Sequence, residues 1–324
     1  MKRMIGGREV GAVGLGCMSF GGIYGATAIE DSLACLDEAA RLGVTHLDVA
    51  EIYGGGRCEE IMGRYLGGRP GPFHIATKAG IYTEPTRHFS NSRDRLRGSL
   101  EGSLKRLGLD RVDLFYIHRR EAARPLPEVV ETLVGLIEEG LIGGYGLSEV
   151  APNTIRDAHA IHPVTAVQSE YSLWTRLPEL GAIRTCRALG IAFVPFSPVG
   201  RGIFADRFPD PAAFPPGDFR IDNPRFEEPN FTRNKAAIAP FQAFGRSRGW
   251  PVSAAAIAWT LDRGDHILPI PGTRSAAHLR ELWHATEIRF TEDDRAEIDR
   301  LLPPGVAHGP RYSDWQAAGA ESYC

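Results

Sequence analysis

The feature that most constrains this chain is a repeated alternation. A short apolar, β-branched run is followed by a segment with apolar residues three and four apart, and then often by a single glycine. The runs lie at 13–18, 44–48, 73–78, 112–118, 143–147, 164–168, 191–196 and 266–270. Helical spacing follows at 28–42, 58–66, 92–107, 128–139, 152–160 and 179–189, then at 235–248 with 253–262, and last at 276–285. Gly43, Gly67, Gly108, Gly140 and Gly190 stand where helices would stop. Alternation of this kind with no break in composition predicts α/β architecture: one closed (β/α)₈ TIM barrel occupying residues 1–324 as a single domain. An open doubly wound sheet would want a G-x-G-x-x-G turn after its first strand. Gly11, Gly14 and Gly16 have the wrong spacing and precede that turn.

Three stretches fall outside the alternation. The polar, Gly-rich opening reads as a short hairpin. Residues 200–230, after the seventh strand, carry Phe204, Phe208, Phe214, Phe219 and Phe226 with no periodicity, and Phe231 follows at once. That length and aromatic content predict an ordered lid rather than plain disorder. A helix at 292–302 precedes an irregular tail, and both the loop and the tail could wall a pocket at the barrel mouth.

Composition excludes several classes. A net charge of −3 and a pI near 6.4 leave no basic footprint for nucleic acid or an anionic membrane. No apolar leader and no run of membrane-spanning length is present. Five scattered cysteines form no CxxC pair, which reads as a reduced, cytoplasmic protein. The histidines include no HExxH and no cluster at ligand spacing, so no metal is expected.

The strand ends hold the chemistry. The strand at 44–48 ends in Asp48, with Tyr53 five residues on beside glycines; the next two end in Lys78 and His118. In such a barrel these ends open onto the active-site face. A lone lysine there is ordinarily a solvated end, and a lone histidine a hydrogen-bonded core residue. Four such groups at successive strand ends form a proton-transfer set. A tyrosine phenol, with a reference pKa of about 10, is a poor acid at neutral pH; a cationic Lys78 beside it would lower that value. Asp48 would pair with Lys78, and His118 would orient a carbonyl or relay the proton.

The residues Asp48-x-Ala50-x-x-Tyr53-Gly54, the Lys78 strand end, and the run Leu107-Gly108-Leu109-Asp110 leading to Ile117-His118 resemble the aldo-keto reductase superfamily. So do Gly146-Leu147-Ser148, Gln168-Ser169-Glu170-Tyr171, the run Phe196 to Gly202, and Ile270-Pro271-Gly272-Thr273-Arg274. The resemblance covers nearly the whole chain and is to microbial reductases of small aldehydes, pyridoxal among them. It implies NAD(P)H-dependent reduction of an aldehyde or ketone, with Tyr53 as acid and a cofactor bound without a Rossmann domain. By motif, Gly16, Cys17 and Met18 would approach the nicotinamide through backbone, Ser148 and Gln168 would bond its carboxamide, and Phe196 would stack on the ring. Ser197, Val199, Gly200 and Arg201 would line the pyrophosphate, and Gly272, Thr273, Arg274, His278 and Glu281 the adenosine end. Three departures stand out: Glu149 where relatives commonly have Asn, His278 where an Arg is usual, and Leu282 where an Asn is usual. Arg274, helped by Arg280, remains to meet a 2′-phosphate, so NADPH is favoured and NADH possible.

Tyr24, Arg119, Trp174, the Phe-rich loop and Trp315 are candidate pocket walls. Aromatics there suit an apolar aldehyde, whereas Arg119 suits an anionic or hydroxylated one; Trp174 could equally be packing. The partner expected is a small carbonyl substrate, for a monomer or a homo-oligomer. Three rivals remain: a dehydrogenase oxidising a sugar or small alcohol, a non-catalytic NADP(H)-binding regulatory subunit, and a lyase forming a Schiff base on Lys78.

Overall fold

The computed structural model describes residues 1–322. Seven parallel strands run in the order Leu15–Gly16, His46–Asp48, His74–Ala79, Leu114–Ile117, Tyr145–Ser148, Ala166–Glu170 and Ala192–Phe196. The eighth, expected at 266–270, is present only as isolated bridges, Phe193 to Ile267 and Phe196 to Ile270, with Gly16 to Gly272 beyond them. Pro269 and Pro271 are the cause, because neither has an N–H to give to a ladder. Their carbonyls nevertheless accept from Gly14 N at 2.9 Å and Gly16 N at 3.0 Å, and Ile270 N donates to Pro195 O at 2.9 Å. The first and last strands thereby meet, and the barrel closes.

Glycines 43, 67, 108 and 190 cap their helices in the left-handed conformation, so the stops read from sequence are real ones. The helix expected at 179–189 is broken: a 3₁₀ turn covers Leu177–Leu180, and the α-helix is Ala182–Leu189. The helix expected from 235 starts earlier, spanning Asn230–Ser247. The first strand is only two residues long, because the chain turns at once into the 3₁₀ segment Cys17–Gly21.

Side chains two apart on a strand share a face, and the inward face forms layers. At the bottom the hairpin Lys2–Ile5 and Arg8–Gly11 plugs the barrel with Ile5 and Val10, which pack on Leu114, Ala166, Val194 and Leu268. Deep in the barrel lie His46 and His74, paired in register with Nδ1 atoms 3.0 Å apart and both kept neutral by burial. Tyr116 fills the middle, and only glycine fits beside it: a Cβ at Gly146 would stand 2.4 Å from its ring. The top inward positions are Asp48, Lys78, His118, Ser148, Gln168 and Phe196. Helices cover the outside over a continuous apolar core.

The 200–230 loop is ordered, as expected, with 3₁₀ turns at Gly200–Gly202, Pro211–Ala213 and Pro224–Phe226. Phe226 makes ring contacts with Trp174, Phe214 and Phe231, and Phe204 is fully buried. The tail crosses this loop: Asn223 Nδ2 donates to Arg311 O at 2.7 Å and Gln316 Nε2 to Phe219 O at 3.0 Å. A second hairpin, Ile81–Tyr82 with His88–Phe89, has no counterpart in the sequence reading. Four cysteines are free and buried, and Cys324 lies outside the described residues. No described helix is long and apolar enough to cross a membrane.

Candidate active site

Asp48, Lys78 and His118 meet because three neighbouring strands present them in the top layer. The Lys78 ammonium contacts Asp48 Oδ1 and donates to Val49 O at 2.9 Å, while Gln168 Nε2 donates to Asp48 Oδ2 at 2.8 Å. The pair is buried, and burial dominates its electrostatics. It raises the Asp48 carboxyl and lowers the Lys78 ammonium, even though each partner opposes the shift of the other.

Tyr53 is placed by a turn of three left-handed glycines, Gly54, Gly55 and Gly56, with φ of 61°, 63° and 96°. That turn lies so close to the 17–21 segment that a Cβ on Gly54 would meet Gly21 Cα at 2.9 Å. The Tyr53 ring stands edge-on to His118, centroids 5.7 Å apart at 84°, and Lys78 Nζ is 5.1 Å from its centre. Burial, and then Asp48, push the phenol well above its ordinary value; the cation that opposes them is Arg119. Lys78, expected to tune Tyr53, lies against its ring with its charge paired to Asp48, and Arg119 adds a second cation to the Tyr53 surroundings. Burial, then Arg119, Lys78 and Arg87, drive His118 well below its usual range. Its imidazole is neutral at pH 7.

Arg119 is buried beside this group, its Nη1 donating to His118 O at 2.7 Å and Ser148 Oγ at 3.2 Å. Gln168, expected at a carboxamide, here holds Asp48. Trp174 is not a wall of the mouth: it is 5 % exposed, lies edge-on to Phe226 and packs under Gly200, whose Cβ would meet its ring at 3.0 Å. Tyr24 is half-buried at the rim, with the Arg220 guanidinium over its ring at 5.1 Å.

The residues assigned to a dinucleotide form a connected rim. Ser197, Gly200 and Arg201 have φ of 51°, 57° and 59°. Left-handed backbone at two residues with side chains costs about 1–2 kcal/mol each, and such strain persists at ligand clamps. Gly16 and Gly272 bridge, with no side chain between them and the mouth. Phe196 is half-buried at the strand end, and Val199 is half-buried against the outer core. Cys17 is buried with Sγ toward Leu15 O, and the Met18 carbonyl accepts from Cys58 Sγ. Thr273 Oγ1 accepts from Ser275 N at 3.1 Å, and Ser275 caps the helix Ala276–Trp283 by accepting from His278 N. His278 itself is exposed. The Glu281 carboxylate takes the Ser253 hydroxyl. Arg274 Nη1 donates to Gly25 O at 2.8 Å and Thr27 Oγ1 at 3.2 Å.

Sequence reasoning missed a buried ion network behind this rim. Glu149, left-handed at φ 56°, accepts from Glu170 N at 2.7 Å and pairs with Arg311 of the tail. The Glu170 carboxylate takes Arg201 Nη2 at 2.9 Å, Thr175 Oγ1 at 3.0 Å and Arg311 Nη1 at 3.5 Å. Burial alone would raise Glu170; Arg201, Arg311 and Arg225 outweigh it and lower it. Arg201 therefore turns its guanidinium to Glu170, between the rings of Phe219 at 5.0 Å and Tyr312 at 4.9 Å, and has its backbone to offer an anion. The unusual Glu149 thus has a structural reason, since it fastens the tail. Glu321 fastens it again, accepting from Ala151 N at 2.8 Å and Thr154 Oγ1 at 2.6 Å at the start of helix Pro152–Ile161.

A closed barrel with a buried Asp–Lys pair, a raised tyrosine and a neutral histidine at its C-terminal mouth is built to exchange a proton with an oxygen. That arrangement suits an oxidoreductase-type barrel. The family model for the Aldo/keto reductase family matches residues 12–303. The chain is 36% identical over 318 residues to the protein named aldo-keto reductase yakc [NADP(+)] of Schizosaccharomyces pombe, covering 96% of this chain and 94% of that one. It is 37% identical over 310 residues to probable aldo-keto reductase 1 of Glycine max, covering 94% and 89%. Among solved structures, the glycerol dehydrogenase AKR11B4 of Gluconobacter oxydans superposes with a TM-score of 0.84 at 26% identity, over 93% of this chain and 94% of that one. The chain belongs to the aldo/keto reductase family, and is an oxidoreductase of that family.

Proposed function

We propose that the protein reduces a small aldehyde or ketone to the alcohol with NADPH, using Tyr53 as general acid. The observation that carries this reading is the joint geometry of Tyr53, His118 and the Asp48–Lys78 pair in one layer at the mouth. Support for the cofactor comes from the donor set around it: left-handed backbone at Ser197–Arg201 of the kind that cradles phosphate, a helix N-terminus beside Gly272–Arg274, and a half-buried Phe196 ring. The NADP(+) in the name of the fission-yeast relative agrees with it. Arg274, beside that helix start, is the guanidinium we assign to a 2′-phosphate, the role its motif implies.

When bound, the nicotinamide supplies the hydride. Neutral His118 donates a hydrogen bond to the carbonyl oxygen and orients it. Tyr53 gives that oxygen its proton, and the phenolate left behind is stabilised by Arg119 and by the ammonium of Lys78. Asp48 keeps Lys78 in place, and Gln168 keeps Asp48 in place. Run backwards, the same Tyr53 is a base, so an alcohol dehydrogenase uses identical residues. The soluble, cytoplasmic setting expected from the cysteines and the charge suits an enzyme fed by the cellular NADPH pool.

The experiment is NADPH oxidation with an aldehyde panel, for the wild type and Tyr53→Phe. The expected outcome is turnover by the wild type, and a loss of about 100- to 10,000-fold in the variant with NADPH binding retained. A variant turning over at the wild-type rate would remove Tyr53 from the mechanism. Absence of turnover in the wild type, with tight NADPH binding, would favour a regulatory subunit.

A further inference from the structure

Arg119 is a buried cation, 7 % exposed, with no carboxylate partner among the described residues. Three other buried cations of this region are matched: Lys78 with Asp48, Arg201 with Glu170, and Arg311 with Glu149 and Glu170. The hydrogen bonds of Arg119 are also lopsided. Nη1 makes both of them, to His118 O and Ser148 Oγ. Nε is buried without a partner, and Nη2 makes no hydrogen bond among the described residues. The unpartnered Nε–Nη2 edge carries two parallel N–H donors, the fork that fits a carboxylate side-on once side chains over the buried Nε give way.

A second guanidinium stands near. Arg87, on the hairpin that the sequence reading missed, feels Arg119, and it helps to hold His118 neutral. It too lacks a carboxylate partner among the described residues. Arg87 bonds the Trp315 carbonyl and lies between the rings of Phe89, at 5.1 Å, and Trp315, at 5.6 Å. Arg87 and Arg119 repel each other, and a buried charge without a counter-ion is costly. An anion arriving at this point relieves both penalties.

We propose that the unpartnered edge of Arg119, with Arg87 at the rim, is a subsite for a carboxylate on the substrate, so that the preferred substrates are small aldehydes or ketones bearing a carboxylate. This rests on the carbonyl-reductase reading and sharpens it. The carboxylate is bound and released unchanged; the carbonyl alone takes up hydride and the Tyr53 proton. Arg119 is then a specificity residue as well as the cation facing Tyr53.

The test compares 4-carboxybenzaldehyde with 4-methylbenzaldehyde at saturating NADPH, in the wild type, Arg119→Gln and Arg119→Lys. The wild type is expected to favour the carboxylate in kcat/KM by about 10- to 100-fold, as a charge-assisted bond would give. Arg119→Gln slows both aldehydes, because the Tyr53 phenolate loses a cation, and in addition brings that ratio near one by raising KM for the carboxylate; Arg119→Lys, keeping the charge without the fork, falls between. Benzoate titrated into the NADPH-loaded protein, followed by tryptophan fluorescence, is expected to bind at least tenfold more weakly to Arg119→Gln. A wild type without preference overturns the proposal. So does an Arg119→Gln variant that slows both aldehydes alike, because Arg119 would then only brace Ser148 or stabilise the Tyr53 phenolate. If neither aldehyde turns over, the reductase reading fails and benzoate alone judges the subsite: saturable binding lost in Arg119→Gln upholds it, and no binding overturns it.

Discussion

Replacing Lys78 by Met leaves Asp48 as a buried anion, 2 % exposed, with Gln168 Nε2 as its one remaining side-chain donor among the described residues. Breaking a buried ion pair from one side costs about 3–5 kcal/mol, and that is the expected deficit at pH 7.5. The deficit depends on pH with a definite sign. Burial already holds the Asp48 carboxyl above its ordinary value while Lys78 pulls it down; without Lys78 it rises further. A group whose folded pKa exceeds its unfolded one binds its proton more tightly in the folded state. Its stabilising contribution is therefore full below the unfolded pKa and is lost as pH climbs through the folded one. Each pH unit inside that window is worth about 1.4 kcal/mol, so moving from pH 7.5 to 5.5 should return up to about 2.7 kcal/mol. The measurement is urea unfolding of wild type and variant at both pH values, because groups common to the two cancel in the difference. Lys78→Met with Asp48→Asn removes both charges and should recover most of the loss at either pH. A deficit below about 1 kcal/mol at both pH values, or one that grows in acid, would refute the claim that the pair is a buried ion pair dominated by desolvation.

Two further outcomes follow from the rim. Arg274→Ala should weaken NADPH by about 10- to 100-fold and NADH by far less, read by fluorescence titration, because one charge-assisted contact to the 2′-phosphate is lost; equal losses would mean that another group reads that phosphate. Arg311→Met strands the Glu149 carboxylate, which is 1 % exposed, and loosens the tail. It should cost about 3–5 kcal/mol, seen as a lowered thermal midpoint, whereas Arg300→Met at an exposed i,i+3 pair should change it by under about 1 kcal/mol.

What the sequence determined by itself was whatever repeats or acts locally. Strand and helix periods are set by residues two to four apart, and glycine stops by one backbone conformation, so the barrel, its N-terminal hairpin and most helices were legible. That Asp48, Lys78 and His118 gather at one end of the barrel was legible for the same reason: a position in strand register fixes both the face and the end at which they emerge. The tertiary structure alone decided which charges face which. Glu149, Glu170, Arg201 and Arg311 become one network across a separation of more than a hundred positions, and nothing near any one of them announces the others. For that reason Arg119 joins Lys78 as a cation facing Tyr53, Trp174 packs beneath the loop, and Gln168 reaches Asp48. Proline in the last strand shows the converse limit, where a local rule forbids a ladder and closure comes only from carbonyls that the first strand supplies with donors. Pairing energies in a buried site depend on distance and desolvation, and both exist only after the chain has closed.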